Sequence, residues 1–151
     1  MSRQVIDSFT GKYAFLSNFF PARITSKKAR IIYPTSEHAF QALKSLNLTV
    51  RRVIALCPTP GDAKRAGRVV PLRPNWDYIK RNVMLKVLRA KFKQNPELAE
   101  LLLTTGDSIL IEGNHWGDTY WGVYKGQGTN WLGILLMQVR KELIDARANC
   151  K

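Results

Sequence analysis

The sequence contains few of the residues that build disulfide or metal frameworks. It has two cysteines and two histidines in 151 residues. Cys57 lies in an apolar stretch and Cys150 lies beside the C-terminus, so the two do not form the spacing pattern of a disulfide-stabilised domain. So few cysteines and histidines also supply a zinc site poorly. We therefore expect no structural metal.

Long apolar runs and low-complexity linkers are also missing. No run approaches the roughly 20 residues that span a bilayer, and the first apolar stretch is short and interrupted by Asp7, unlike a signal peptide. We expect a cytoplasmic protein. Hydrophobic residues make up 45% of the chain, which is enough to build a core, and the length suits one domain over residues 1–151.

Acidic residues are scarce in one part of the chain. The net charge is +13, but residues 1–93 carry 19 Lys/Arg and 4 Asp/Glu, whereas residues 94–151 carry 5 and 7. A basic region of this size attracts phosphates or nucleic acid, although cationic side chains also solvate ordinary helix faces. The charge therefore leaves both interpretations open.

The hydrophobic pattern predicts a helix-rich α+β domain with a few short strands and no alternation of strands and helices. Predicted strands are Val5–Phe9, Arg30–Tyr33 and Ser108–Glu112. Predicted helices are Thr35–Leu46, Val50–Leu56, Asp62–Ala66 with Gly67 as its stop, Pro74–Lys93, a helix that starts at Asn95–Glu97 and stops at Gly106, and Trp131–Ala146. A long loop, Asn114–Thr129, carries four glycines.

The helix after Thr35 carries polar side chains on one face. Glu37, Gln41 and Lys44 occupy positions i, i+4 and i+7, so that a carboxylate, an amide and an amine point the same way. Glu37 lies in the first turn, where the helix dipole favours the ionised form. The alternative is an ordinary solvated helix face.

The loop Asn114–Gly122 concentrates aromatic residues. Trp116, Tyr120 and Trp121 lie near Asp118, and aromatic side chains in a glycine-rich loop either fill the core or stack on a planar ligand. The segment Gly126–Asn130 then opens onto a helix, where free backbone N–H groups can bind phosphate. Elsewhere, Arg68 is a candidate for a bidentate phosphate contact, with surface solvation as the alternative.

Together these segments resemble the NADAR family (named for NAD and ADP-ribose), also called YbiA-like. The resemblance covers nearly the whole chain, and several motifs follow one another at family-like spacing. They are Gly11–Tyr13, Phe15–Phe19, Thr35–Lys44, Ala66–Arg68, Trp76–Asp77, Leu88–Phe92, Asp118–Gly122, Gly128–Gly133 and Leu136–Arg140.

The resemblance implies an N-glycosidase that cleaves a bond to a phosphorylated ribose. Some members act on ribosylamino-pyrimidine phosphates of riboflavin synthesis, and others remove ADP-ribose from guanine in nucleic acid. It implies catalytic roles for Glu37, Lys44 and Asp118, which we predict to share one pocket with Gln41. The residues expected to bind substrate are Asn18, Phe19, His38, Gln41, Arg68, Trp76, Trp116, Tyr120, Trp121 and Asn130.

The chemistry suits these residue types but leaves two routes open. A carboxylate at Glu37 can stabilise a positively charged ribose or activate water, whereas a neutral Lys44 can attack an opened sugar and form a Schiff base. No metal or redox cofactor is needed for either route. The alternative function is a non-catalytic module that binds ADP-ribose or nucleic acid. The oligomeric state is not determined by the sequence.

Overall fold

A computed structural model describes residues 2–150, and these divide into two compact units. Asn18–Asn95 form the central unit, and the segments on either side of it, residues 2–17 and 96–150, form the flanking unit. A single domain over residues 1–151 therefore stays a prediction.

The helix-rich α+β class predicted from the sequence is confirmed. Within residues 2–150 the chain forms six α-helices, one 3-10 helix and six short strands. In chain order these are β1 (Val5–Ile6), the 3-10 helix (Gly11–Leu16), β2 (Pro21–Ser26), β3 (Ile31–Thr35), α1 (Ser36–Ala42), α2 (Leu48–Ala55), α3 (Pro60–Arg68), α4 (Trp76–Gln94), α5 (Pro96–Thr104), β4 (Ile109–Leu110), β5 (Gly113–Asn114), β6 (Val123–Tyr124) and α6 (Trp131–Asn149).

In the central unit, β2 and β3 form an antiparallel hairpin that packs against α1, α2 and α4. Along β3, buried Ile31, Tyr33 and Thr35 alternate with exposed residues, which is the period of a strand with one face in the core. Strand β2 was not predicted. Its backbone is held partly by a side chain, because the Gln94 amide accepts from Thr25 N at 2.7 Å and donates to Thr25 O at 3.1 Å.

Helix α1 begins where the sequence predicts and ends earlier. Thr35 Oγ1 accepts a hydrogen bond from His38 N at 3.1 Å, which confirms Thr35 as the N-cap. The helix ends at Ala42 rather than Leu46. Asn47 caps α2 by accepting from Thr49 N at 2.8 Å, so the chain must turn before residue 47. Lys44 therefore lies in that turn and not on the helix.

Helices α3 and α4 also differ from the prediction at their ends. Helix α4 begins at Trp76, two residues after Pro74, and buries the predicted stripe of Val83, Met84, Val87 and Leu88. The prediction that Gly67 stops α3 is wrong, because the helix continues through Arg68. Gly67 is instead a buried residue inside the last turn, where it packs against Gln41 of α1.

In the flanking unit, β1 pairs in parallel with β4, and β5 pairs in parallel with β6. Helix α5 ends at Thr104, and Gly106 follows with φ +60°, as the predicted stop requires. Arg140 of α6 is 4% exposed and donates to Thr105 Oγ1 and Ser108 O, each at 2.8 Å. This side chain joins α6 to the segment between α5 and β4.

Both cysteines are free thiols. Over residues 2–150, none of the helices combines the length and the apolar character that crossing a membrane requires.

Candidate active site

Glu37 and Gln41 lie in the interior of the central unit, so the solvated-face alternative is wrong for both. Their exposures are 7% and 5%. Gln41 Nε2 donates to Glu37 Oε1 at 2.7 Å, as the i, i+4 spacing on α1 allows. Burial of a carboxylate costs free energy, and buried carboxylates with perturbed pKa values cluster at functional sites, which makes Glu37 a candidate catalytic residue.

The carboxyl group of Glu37 is tuned by opposing effects. Burial raises its pKa above the ordinary value of 4.5, while the hydrogen bond from Gln41 and the charges of Lys64, Lys44 and His38 lower it. Burial dominates. The expectation that the helix dipole favours ionisation is therefore outweighed, because α1 has only seven residues and desolvation disfavours the charged form.

Asn18 fixes the start of α1 and thereby the backbone of Glu37. Its carbonyl accepts from Glu37 N at 3.0 Å, and its Oδ1 accepts from Ser36 Oγ at 2.8 Å. Its Nδ2 lies 3.6 Å from Met84 Sδ. These contacts connect Asn18 to the start of α1, and its predicted contact with substrate stays a prediction.

Lys44 lies close to the carboxylate although it is outside α1. Its Nζ donates to Gly67 O at 3.3 Å. Burial lowers the pKa of Lys44 below 10.5, the attraction of Glu37 opposes this, and Lys64, Arg68 and Lys80 lower the pKa further. Three further cations therefore act on Lys44, and one of them, Lys80, is paired with the carboxylate of Asp77.

Lys64 and Lys80 were not among the predicted site residues. Lys64 Nζ lies 6.0 Å from the centre of the Phe19 ring, and Lys80 Nζ lies 3.2 Å from Asp77 Oδ1. Lys64 sits three residues before Gly67 on α3, which places the two on neighbouring positions of one helix face. The i, i+3 spacing from Gly67 is the sequence feature that could have identified Lys64 as a candidate site residue.

The other predicted residues of the central unit differ in accessibility. Phe19 is 44% exposed, and Arg68 is exposed at the end of α3. Trp76 is 6% exposed and its ring packs against Phe40, with ring centres 5.3 Å apart. Phe19 and Arg68 can therefore meet a ligand directly, whereas Trp76 supports the core below α1.

His38 is buried and makes hydrogen bonds within the central unit, and its predicted role in substrate binding stays a prediction. It is 1% exposed, and both ring nitrogens are occupied: Nε2 donates to Cys57 O at 3.0 Å, and Nδ1 accepts from Thr35 Oγ1 at 2.8 Å. The carbonyl acceptor requires the hydrogen on Nε2. The ring therefore ties α1 to the end of α2.

In the flanking unit, Asp118 organises the aromatic loop. Its Oδ1 accepts from the backbone N–H groups of Tyr120 at 3.0 Å and Trp121 at 2.9 Å, while its own N–H donates to Asn114 Oδ1 at 2.9 Å. An aspartate in this pattern forms a turn. Its predicted catalytic role and its place in one pocket with Glu37 remain predictions.

The predicted phosphate site before α6 is wrong. The N–H groups of residues 129–132 donate to the carbonyls of residues 119–122 at 2.8–3.3 Å, so they are not free to bind an anion. Asn130 is also occupied, because Oδ1 accepts from Glu112 N and Nδ2 donates to Leu110 O, each at 2.9 Å. Asn130 thus connects the start of α6 to the segment around β4, and its predicted role in substrate binding stays a prediction.

The aromatic side chains of the loop are partly open to solvent. Trp116 is 54% exposed and packs edge-on with His115, with ring centres 5.2 Å apart. Tyr120 and Trp121 are half-buried and perpendicular, with ring centres 4.8 Å apart. The loop backbone that carries these rings is held by hydrogen bonds to Asp118 and to the start of α6.

Comparison with known proteins identifies the family. A model of the NADAR domain matches residues 7–144, which includes parts of both units. The chain belongs to the NADAR family. It is 43% identical over 141 residues to the N-glycosidase YbiA of Escherichia coli, covering 90% of this chain and 85% of that protein.

Two further comparisons extend this NADAR assignment. The NMR structure of the E. coli protein YbiA is 40% identical with a TM-score of 0.85, and the match covers 98% of this chain and 89% of that one. A riboflavin biosynthesis protein of Vibrio vulnificus is 38% identical over 134 residues, covering 87% of this chain and 36% of that protein.

The NADAR domain is thus a hydrolase acting on N-glycosyl bonds, the class that its relatives' names state. This decides against the alternative of a non-catalytic binding module. Within residues 2–150, no three His, Cys, Asp or Glu side chains are grouped closely enough to hold a metal ion.

We predict that Glu37→Gln stabilises the protein at neutral pH. The folded-state pKa of Glu37 is raised, so its contribution to stability is fully present below the unfolded pKa near 4.5 and is lost as pH rises through the folded pKa. Glutamine avoids burying the charge and can still accept from Gln41 Nε2. Thermal unfolding should show a higher Tm for the variant at pH 7 and little difference at pH 4. A lower Tm at pH 7 would contradict this.

We predict that Trp121→Ala weakens substrate binding more than it weakens folding. The ring is half-buried on a loop whose backbone is fixed by Asp118, so its removal leaves that support in place. Loss of one stacked base costs about 1–3 kcal/mol of binding. Isothermal titration and thermal unfolding measure the two effects. A variant that loses stability but binds normally would show that Trp121 only fills the core.

Proposed function

We propose that this NADAR domain hydrolyses the C1′–N bond between a phosphorylated ribose and a nitrogen base, with Glu37 as the catalytic carboxylate. The observation that carries the proposal is the burial of Glu37 among cationic side chains of the central unit. Burial and a positioned hydrogen-bond donor are typical of a functional carboxylate, and the relatives' N-glycosidase names supply the bond type.

Cleavage of this bond places positive charge on the ribose. As the C1′–N bond breaks, its electron pair goes to the base nitrogen, and the oxygen of a water molecule bonds to C1′. The Glu37 carboxylate stabilises the developing charge and takes the proton from water, which passes to the departing nitrogen. The raised pKa of Glu37 makes the carboxylate a better base than an exposed glutamate.

Lys44 supports the same site in either of two ways. As a cation, it attracts the anionic substrate. As a neutral amine, favoured by the lowered pKa that burial causes, it attacks C1′ of the ring-opened substrate. The C1′–N bond to the base then breaks, the base leaves with a proton, and the resulting Schiff base between Lys44 and C1′ is hydrolysed by water. Its hydrogen bond to Gly67 O holds the amine near Glu37 in both cases.

The cations around Glu37 suit a phosphorylated substrate. Lys64, Arg68 and Lys80 act on Lys44 electrostatically, and Arg68 is exposed. The carboxylates of Glu37 and Asp77 offset only part of the charge of these cations, and a phosphate on the ribose would neutralise more of it. A ribosylamino-pyrimidine phosphate of riboflavin synthesis meets these requirements, and one relative is named for that pathway.

A second candidate is ADP-ribose attached to a guanine of nucleic acid, and a basic surface favours it. Exposed Arg23, Lys27, Lys28, Lys86 and Lys93 form this surface, which we call the β2–α4 surface. The C-terminal end of α4 bonds to β2 through Gln94, and Lys86 lines the same shallow groove as Thr25 and Ser26.

No carboxylate offsets the β2–α4 surface within the central unit. Its acidic residues are Glu37, which is buried, Asp62, which pairs with Arg65, and Asp77, which pairs with Lys80. An uncompensated basic surface of this kind attracts a linear polyanion.

The two substrates are distinguished by direct assay. The purified protein is incubated with a ribosylamino-pyrimidine phosphate and, separately, with guanine-linked ADP-ribosyl DNA. Release of ribose phosphate or of ADP-ribose, measured by chromatography, identifies the substrate. Release of neither product would overturn the proposed substrate class.

We predict that Glu37→Gln abolishes cleavage and retains binding. Glutamine keeps the size and hydrogen bonding of the side chain but cannot accept a proton from water. A positioned general base contributes roughly 10²–10⁴-fold, so kcat should fall by that factor while the Kd for the substrate changes little. Near-normal turnover in the variant would remove Glu37 from the mechanism.

Lys44→Ala separates the two routes in the same assay. If Lys44 is the nucleophile, borohydride traps a covalent adduct with substrate in the parent protein and none in the variant, as intact-mass spectrometry would show. If neither protein gives an adduct, Glu37 acts as the base and Lys44 as a binding cation.

If the substrate is carried on DNA, the β2–α4 surface should bind that DNA. We predict that this binding weakens steeply as the salt concentration rises. Each neutralised phosphate contributes about 0.7–0.9 to the slope of log K against log salt. The Lys27→Gln/Lys28→Gln double variant should therefore reduce the slope by about 1–2. The matched control is Lys12→Gln/Lys141→Gln, which removes two exposed cations of the flanking unit. A flat salt dependence in the parent protein would favour the small metabolite.

A further inference from the structure

Gly67 occupies a position where a glycine is costly unless packing requires it. It lies inside the last turn of α3 with helical backbone, and glycine in a helix is about 1 kcal/mol less favourable than alanine. The chain does not need it for a left-handed turn, because Gly67 has no positive φ. The reason must be what a side chain would meet.

A side chain at residue 67 would strike Gln41. A Cβ built on Gly67 would lie 1.9 Å from Gln41 Oε1, 2.7 Å from its Cδ and 3.1 Å from its Cβ. Contacts this short are not possible, so the amide of Gln41 can occupy its place only when residue 67 lacks a side chain. That amide is the group that donates to Glu37 Oε1 at 2.7 Å.

Apart from its contacts with Glu37 and Gly67, the amide of Gln41 has few interactions that fix its orientation. Its Oε1 is buried, and among residues 2–150 none offers it a hydrogen bond. The orientation of the amide is therefore set by the Nε2 contact with Glu37 on one side and by the bare Gly67 backbone on the other. A buried acceptor left without a partner costs about 1–3 kcal/mol, a cost that functional sites tolerate.

Gly67 also contacts Lys44, the second side chain in the proposed mechanism. Its carbonyl belongs to the last turn of α3, where carbonyl groups lack partners within the helix, and it accepts from Lys44 Nζ at 3.3 Å. One residue thus permits the contact that orients the carboxylate and supplies the acceptor that holds the amine.

We propose that Gly67 and Gln41 are positioning residues, which together hold the Glu37 carboxylate and the Lys44 amine in their reactive arrangement. This inference rests on the proposed catalytic role of Glu37. Neither residue needs to touch the substrate: Gly67 acts through Gln41 and Lys44, and Gln41 acts through Glu37.

The test compares Gly67→Ala, Gln41→Ala and the double variant in hydrolysis of the phosphorylated ribosylamino-pyrimidine. A displacement of about 1 Å at a catalytic group can cost 10²-fold. We expect each single variant to lower kcat by about 10–100-fold with a smaller change in KM. The double variant should resemble Gln41→Ala, because the clash with the amide is gone and only the 3.1 Å contact with Cβ remains for a small shift to relieve.

The pH profile separates positioning from a loss of stability. The hydrogen bond from Gln41 lowers the pKa of Glu37, so its loss should move the acid limb of kcat/KM to higher pH in both single variants. Gly61→Ala is the matched control, because an added Cβ there meets nothing closer than 3.7 Å in the same helix. It should leave kcat and the profile unchanged.

The outcomes distinguish this inference from the proposed function. Parent-like kcat and pH profile in Gly67→Ala, or independent effects that multiply in the double variant, would overturn the positioning role while an inactive Glu37→Gln upholds the proposed function. Activity in Glu37→Gln would instead overturn the proposed function itself. If Gly67→Ala does not fold, Gln41→Ala alone decides, because a parent-like profile there would overturn the inference.

Discussion

The burial of one carboxylate is the constraint around which the central unit is arranged. Glu37 loses most of its hydration when α1 packs, and the surrounding contacts offset part of that cost. Asn18 accepts from its backbone N–H, Gln41 donates to its carboxylate, and Lys64 and Lys44 attract its charge. Desolvation still has the largest effect on the pKa of Glu37. The site therefore keeps a carboxyl group at a position where folding alone would favour an apolar side chain.

The packing of α1 against α3 explains how neighbouring residues serve this carboxylate. Gly67 gives α3 a surface without a side chain, and the Gln41 amide fills that space. The end of α1 at Ala42 is equally important, because it lets Lys44 turn towards the carbonyl of Gly67. If α1 had continued to Leu46 as predicted, the position of Lys44 would have followed from helical spacing alone.

The flanking unit carries a different kind of candidate site. Its aromatic loop is held by a turn at Asp118 and by backbone hydrogen bonds to the start of α6. This arrangement removes the free N–H groups that an anion would need, and it leaves aromatic rings on a fixed support. The loop is therefore suited to stack on a planar group rather than to hold a phosphate.

The sequence by itself determined the class of the fold, the capped start of α1, the apolar stripe of α4 and the grouping of Glu37 with Gln41, because each depends on residue spacing within one element. It also contained the family motifs. Strand β2 was not predicted from the sequence, because part of its backbone hydrogen bonding comes from the side chain of Gln94, which is distant in sequence. The contacts of His38, Asn130 and Gly67 were decided only by tertiary structure, since each depends on partners brought from elsewhere in the chain. The pKa of Glu37 belongs to the same group, because desolvation depends on how the helices pack and not on position within a helix.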